Sequence, residues 1–351
     1  MKLNLNLNLT KKNIPILSSI GIFLLLYVVG GLFFNGFFSI GVFSNLFYDN
    51  AFLGVLAVGM TLVIISGGID LSVGSVIGFT CTFIAYLVEV KQMNPVLAMF
   101  LSLVIGTTAG TLMGFLIHNF KLPAFLVTLV GMFLFRGLAY QVSLESIPIR
   151  NELFLEMSQV GLFEYNGRTL FPMASLIFIF MVMLGVYMSH FRKFGRNIYA
   201  IGGSEPSAVL MGLPVGRTKI MVYAFSGFCS ALGGIVYTFY LQSGYALAGV
   251  GMELNVIAAV VIGGTLLTGG AGFIEGTLVG VLILGLIDTI LNFYGQLSSW
   301  WFRIFIGLLL FLFILLQTWL TRSNIFLKYA MKQQQKRNDA AKGLQETSQH
   351  S

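Results

Sequence analysis

The sequence predicts an all-α fold, a polytopic transmembrane bundle of about ten helices with both termini on the cytoplasmic side. Three observations carry this. Of the 351 residues 57% are hydrophobic and only 9% charged, whereas soluble domains carry roughly 25% charged residues. Mean hydropathy is +0.89, and the apolar residues gather into stretches near the ~20 residues that a spanning helix requires.

The first stretch, 14–34, follows Lys11 and Lys12. It exceeds the ~7 to 15 residues of a signal-peptide core and lacks an A-x-A cleavage site, so it reads as a membrane span. The others are 51–67, 69–90, 96–117, 122–143, 170–189, 220–241, 254–270, 273–292 and 300–320. Two pairs, 51–90 and 254–292, are almost continuous and are interrupted only at Gly67-Gly68 and Gly269-Gly270. These dipeptides are the expected helix breaks. The segments that start at Gly67 and Gly269 align weakly as an internal repeat, and Gly-interrupted helices in repeats point to a transport path.

Orientation follows from the loops. In 190–219, Arg192, Lys193, Arg196, Arg217 and Lys219 face only Glu205. In 321–351, six basic residues face Asp339 and Glu346, and the arm 1–13 adds Lys2, Lys11 and Lys12. All three segments are expected in the cytoplasm under the positive-inside bias. The loop 144–169 carries Glu145, Glu152, Glu156 and Glu164 against Arg150 and Arg168, so it is placed outside. An even number of spans satisfies every loop. The membrane domain is therefore 14–320, flanked by an N-terminal arm and a basic tail. The net charge of +7 reflects this loop bias and calls for no nucleic acid partner.

Several chemistries are excluded. No Gly-Lys dipeptide occurs, so the chain lacks a phosphate-binding loop. His118, His190 and His350 lie at span ends or in the tail, away from any nucleophile-base pair. Cys81 and Cys229 sit in apolar runs as small hydrophobes. No catalytic site, metal site or resident cofactor is expected.

The cytoplasmic loop holds a punctuated short helix. Gly202 and Gly203 precede Ser204, a fitting N-cap; Glu205 and Pro206 open the helix; Gly212 suits its C-terminal cap and Pro214 stops it. Two turns are not stable alone in water. With Ala208, Val209, Met211 and Leu213 beside a basic flank, the segment either docks onto a cytoplasmic partner or lies on lipid headgroups.

Few ionisable residues fall in or near spans: Asp70, Arg136, Glu253, Glu275, Asp288 and Arg303. Such groups tend to face the bundle or water. Asp288 and Arg303 fall toward the same side and are expected to pair. Asp70, after the first Gly-Gly break, and Glu253 with Asn255, opening a span, are the candidate substrate-path residues. So little fixed charge suits a neutral, hydroxyl-rich solute. Tyr245, Trp300 and Trp301 read as interface anchors or as sugar platforms.

Four segments carry a resemblance: Gly59-Met60-Thr61 leading to Ser66-Gly67-Gly68-Ile69-Asp70-Leu71-Ser72-Val73-Gly74; Leu122-Pro123-Ala124-Phe125 with Thr128-Leu129; Phe194-Gly195-Arg196 with Tyr199-Ala200-Ile201-Gly202-Gly203; and Ala258-Ala259-Val260-Val261-Ile262-Gly263-Gly264-Thr265. They resemble the permease subunits of ribose-type sugar ABC importers over about residues 14–320. Within that family, residues 145–149, 244–251 and 297–301 are similar to permeases of bacterial galactofuranose importers. Where many relatives have an acidic residue this chain has Asn255, and where many have Gly-Thr it has Gly272-Phe273.

The resemblance implies a multi-pass protein of the bacterial inner membrane that moves a monosaccharide, galactofuranose, by alternating access and is not itself an enzyme. It also implies an ABC ATPase that binds ATP and Mg, a periplasmic sugar-binding protein, and a second related permease or a second copy of this chain. The segment Gly202, Gly203, Ser204, Glu205, Pro206, Ala208, Met211 and Gly212 then corresponds to the coupling segment against the ATPase. A self-sufficient ion-coupled carrier or channel is the competing reading.

Overall fold

A computed structural model describes residues 14–165, 168–296 and 300–322. The arm 1–13, most of the basic tail and residues 297–299 lie outside the described residues. The chain divides into a unit 1–307 and a C-terminal unit 308–351, whose described part is the end of the last helix.

The helices are α1 (Ile14–Phe33), α2 (Ile40–Asp49), α3 (Ala51–Ile65), α4 (Val73–Ala85, continued by a π-helical turn Tyr86–Val90), α5 (Pro95–Asn119), α6 (Ala124–Val142), α7 (Glu152–Gln159), α8 (Met173–Phe191), α9 (Lys193–Gly203), α10 (Glu205–Leu210), α11 (Val215–Leu241), α12 (Met252–Ile262), α13 (Ile274–Tyr294) and α14 (Trp300–Arg322). Each of the ten apolar stretches holds one of them. Among the described residues seven helices are individually long and apolar enough to cross a membrane. The α2–α3 pair, bent by 53°, would make an eighth, while α12 and Trp300–Leu315 are shorter.

Two spans read from hydropathy are only partly helical. The stretch 69–90 becomes helical at Val73, and 254–270 stops at Ile262. Hydropathy cannot separate an apolar helix from an apolar loop, and both of these loops are partly buried and lack charge apart from Asp70. The acidic loop 144–169 is also structured. It contains α7 and strand β1 (Ile147–Pro148), which pairs antiparallel with β4 (Ser243–Gly244), and most of the hairpin β2 (Gly161–Tyr165) with β3 (Arg168–Pro172).

Burial explains the layering. Helix α3 is apolar all round and all but one of its residues are buried, as expected of a helix at the centre of a bundle. Helix α11 packs most extensively on α5, α3 and α4. Its approach to α5 is possible because Gly106, Gly110 and Gly114 lie one turn apart on α5: a Cβ on Gly114 would stand 2.9 Å from the α-carbon of Ile220. Small residues at this spacing allow membrane helices to pack backbone to backbone.

Candidate functional site

The short helix α10 forms as its punctuation requires. Ser204 Oγ accepts a hydrogen bond from the Ser207 N–H at 3.4 Å, and Pro206 lies in the first turn. At the other end Gly212 adopts φ +71°. Its N–H donates to Val209 O at 2.9 Å, and the Leu213 N–H donates to Ala208 O at 3.1 Å. This is the paired closure of a Schellman motif. Ala208 is buried with Ile201 and Val215, and Leu213 packs against them.

That cap settles which side chains face outward. Ala208, expected on the docking face, is turned into the bundle and fully buried, because the C-terminal motif brings the residues at its two ends into contact. The outward edge is Val209, Leu210 and Met211, and Leu210 is 88% exposed. Glu205 receives a hydrogen bond from Lys219 Nζ on α11 at 2.7 Å, which ties the start of α10 to the bundle.

Three Gly-Gly dipeptides that are far apart in sequence meet beside this helix. Helix α3 ends in its own Schellman motif, with Gly67 at φ +84° and the N–H groups of Gly67 and Gly68 donating to Ile64 O and Val63 O at 2.9 and 3.0 Å. The carbonyl of Ile65 accepts from the Gly270 N–H at 2.9 Å. A Cβ on Gly202 would collide with that carbonyl, and one on Gly269 would lie 2.9 Å from the α-carbon of Gly67. A Cβ on Gly270 would lie 2.8 Å from the α-carbon of Gly203. The expected helix breaks and the expected coupling residues therefore form one junction.

The second break lies elsewhere than the sequence suggests. Helix α12 closes at Gly263-Gly264, with φ +92° at Gly264, and the N–H groups of Gly264 and Thr265 donate to Val261 O and Val260 O. Gly269 and Gly270, at φ +83° and +75°, sit in the loop that follows. The cap of α12 matches that of α3 in its hydrogen bonds, so Ile262-Gly263-Gly264 was the readable signal for the break.

Tyr199 on α9 donates from its hydroxyl to Gly272 O at 2.8 Å. Burial and the nearby Glu275 carboxylate push this phenol up to about 12, so it remains a donor at neutral pH. His190 Nδ1 of α8 lies 3.2 Å from Glu275 Oε1 of α13. A cavity of about 860 Å³ opens between α10 and the end of α3, with Gly68, His118, Lys121, Glu205, Lys219 and Tyr223 among its walls.

The three candidate path residues are not equivalent. Asp70 is fully buried. Its Oδ1 accepts from the Ser72 N–H at 3.0 Å and from Ser72 Oγ at 2.6 Å, and its Oδ2 accepts from Ser226 Oγ at 2.7 Å. The carboxylate bridges the α3–α4 connection to α11. Glu253 is partly exposed on the first turn of α12 and lies against Gly74 of α4. Asn255 is also partly exposed on that helix.

The expected Asp288–Arg303 pair does not form. Arg303 lies over the Trp300 ring, 4.9 Å from its centroid, and Asp288 accepts from Asn292 Nδ2 at 3.3 Å. The helical i, i+4 neighbour and the adjacent aromatic face are the nearer partners. Among the described residues no three His, Cys, Asp or Glu side chains gather as metal ligands would.

Residues 42–314 match the family described as branched-chain amino acid transport system / permease component. The inner membrane ABC transporter permease protein YjfF of Escherichia coli (strain K12) is 50% identical over 311 residues, covering 89% of this chain and 94% of that protein. The fructose import permease protein FruG of Bifidobacterium longum (strain NCC 2705) is 38% identical over 318 residues, covering 88% and 92%. The ribose import permease protein RbsC of Escherichia coli (strain K12) is 37% identical over 281 residues, covering 80% and 87%. No solved structure matches the chain. With the helical bundle and its broken, Gly-capped helices, these matches make the chain a multi-pass inner-membrane permease component, not an enzyme, and it belongs to the transport-system permease family that includes the ribose-type sugar ABC permeases.

Proposed function

We propose that this chain is the translocating subunit of an ATP-driven monosaccharide importer, that its cargo is galactofuranose, and that α10 is its contact with an ATPase subunit on the cytoplasmic side. The observation that carries the coupling role is α10 itself. It presents the unpartnered edge Val209-Leu210-Met211 while its root is packed, through Gly202 and Gly203, on the end of α3 and on the α12–α13 loop. A push on that edge reaches both broken helices without passing through a flexible side chain. ATP and Mg are bound by the ATPase. Nucleotide there can drive transport only by favouring one bundle conformation over another.

A sugar as cargo is supported by the ribose and fructose import permeases among the relatives. Galactofuranose is supported by the resemblance of residues 145–149, 244–251 and 297–301 to permeases of that sugar. A periplasmic sugar-binding protein and a second permease, related or identical, complete the assembly. The positive-inside bias of the basic loops supports a cytoplasmic location for α10, the N-terminal arm and the tail.

Co-purification in mild detergent identifies the retained subunits, and proteoliposomes made from that assembly provide the transport assay. Uptake of labelled galactofuranose is expected to require ATP and the binding protein, and unlabelled ribose is expected to compete poorly. Uptake by this chain alone, driven by an ion gradient, would refute the proposal.

A further inference from the structure

Helix α4 carries Gly74 and Gly78 one turn apart, and each yields its side-chain space to a charged group from another helix. The Glu253 carboxylate lies against Gly74, and Arg136 Nη1 stands 2.8 Å from where a Cβ on Gly78 would be. Arg136 comes from within α6, away from its ends. Its Nη1 donates to Ala246 O and Ala248 O at 2.6 and 2.8 Å. This pins the segment that leads from β4 into α12 onto the α4 surface.

A guanidinium has five N–H donors, and these two carbonyls occupy only one nitrogen. Among the described residues the remaining donors of Arg136 have no protein acceptor, and the Glu253 carboxylate accepts no hydrogen bond. The two groups interact electrostatically but form no ion pair. Both are partly exposed. Charged groups in a membrane bundle face its interior or a water-filled cavity, and Arg136 keeps donors beyond the one nitrogen that its two carbonyls occupy. Asp70 provides the contrast, since it is sealed and both of its oxygens are occupied.

We infer that Arg136 and Glu253 are the donor and acceptor that an uncharged, hydroxyl-rich solute meets inside the bundle. The two glycines that receive them are four residues apart on α4, about 6 Å along the axis. One small polyol can accept from the guanidinium and donate to the carboxylate across that span, replacing lost water at both ends. The assignment rests on the reading of the chain as a sugar permease and adds to it the contact that handles the cargo.

The test uses the complete co-purified assembly in proteoliposomes. Cys81 and Cys229 are buried, so a thiol introduced by Glu253→Cys can be followed against a low background with a small water-soluble thiol reagent. The thiol is expected to react from water, and cargo at about ten times its half-saturating concentration is expected to slow the reaction about tenfold, by mass action. Arg136→Cys gives the same readout if Glu253→Cys does not assemble. A thiol that does not react from water, or a rate that cargo leaves unchanged, overturns the assignment. ATP-driven uptake by the unmodified assembly is measured in parallel. If it is absent the functional reading fails, and if it is present while the thiols are unprotected only this inference fails.

Discussion

Gly202 and Ile65 approach so closely that no side chain fits between them. The α-carbon of Gly202, near the end of α9, faces the carbonyl oxygen that ends α3, and the same oxygen accepts the Gly270 N–H at 2.9 Å. Three chain segments thus share one carbonyl, and a displacement of any one is felt by the other two. Direct backbone contact has a mechanical consequence: packed interfaces of this kind shift between discrete arrangements and do not deform continuously.

Gly202→Ala tests the junction against its neighbour. A methyl there must displace the Ile65 carbonyl or break the bond from Gly270, and overpacking of this sort costs about 1 to 3 kcal/mol. Gly203→Ala meets nothing within 4 Å and replaces Gly in a helix, a change worth roughly 0.5 to 1 kcal/mol in favour of Ala. Thermal unfolding of the purified protein is expected to show a lowered Tm for Gly202→Ala and an unchanged or raised Tm for Gly203→Ala. Equal effects would show that the close approach is absent.

Asp70 acts as a brace in this geometry. Asp70→Ala leaves Ser226 Oγ and the Ser72 N–H without their acceptor, and each stranded buried group costs about 1 to 3 kcal/mol. Asp70→Asn keeps one acceptor oxygen, and Ser226 can accept from the new amide. The expected order of Tm is wild type, then Asp70→Asn, then Asp70→Ala, with ATP-driven uptake per folded molecule retained in Asp70→Asn. Abolished uptake in a well-folded Asp70→Asn would instead put the carboxylate on the cargo path.

Much of this was legible in the sequence, in uneven measure. Local punctuation read well: Ser204, Pro206, Gly212 and Pro214 mark α10 because capping depends on residues within one turn. Hydropathy located each long helix among the described residues but lengthened α12 by the loop beyond Gly264, since apolar character alone does not separate a loop from a helix. The meeting of Gly67, Gly202 and Gly270 was invisible, because no local period records which segments touch. In the sequence Arg136 is only a rare charge within a span. Its role emerges when Ala246 and Ala248 are seen to present their carbonyls to it from more than a hundred residues away.

Tyr199→Phe removes a side-chain hydrogen bond from α9 to the α12–α13 loop, that to Gly272 O. The loss amounts to about 0.5 to 1.5 kcal/mol in stability. Its larger expected effect is on coupling: ATP hydrolysis by the assembled complex is retained while sugar moved per ATP falls. An unchanged ratio would show that the backbone contacts at Gly202 and Gly270 carry the motion without Tyr199.

The outward edge of α10 separates docking from folding most cleanly. Leu210 is 88% exposed, so Leu210→Ser removes little buried area, and a surface change of this kind alters stability by only about 0.5 kcal/mol. Glu205→Gln breaks a partly exposed ion pair with Lys219, worth at most about 1 kcal/mol. Both variants are therefore expected to fold and to keep their Tm. They differ in what a partner would feel: Leu210→Ser takes an apolar anchor from the docking face and is expected to reduce the ATPase retained on co-purification. Glu205→Gln leaves that edge intact and is expected to retain more of it. Undiminished ATPase recovery with Leu210→Ser would mean that α10 presents its edge to lipid headgroups, and the ATPase would have to grip the permease elsewhere.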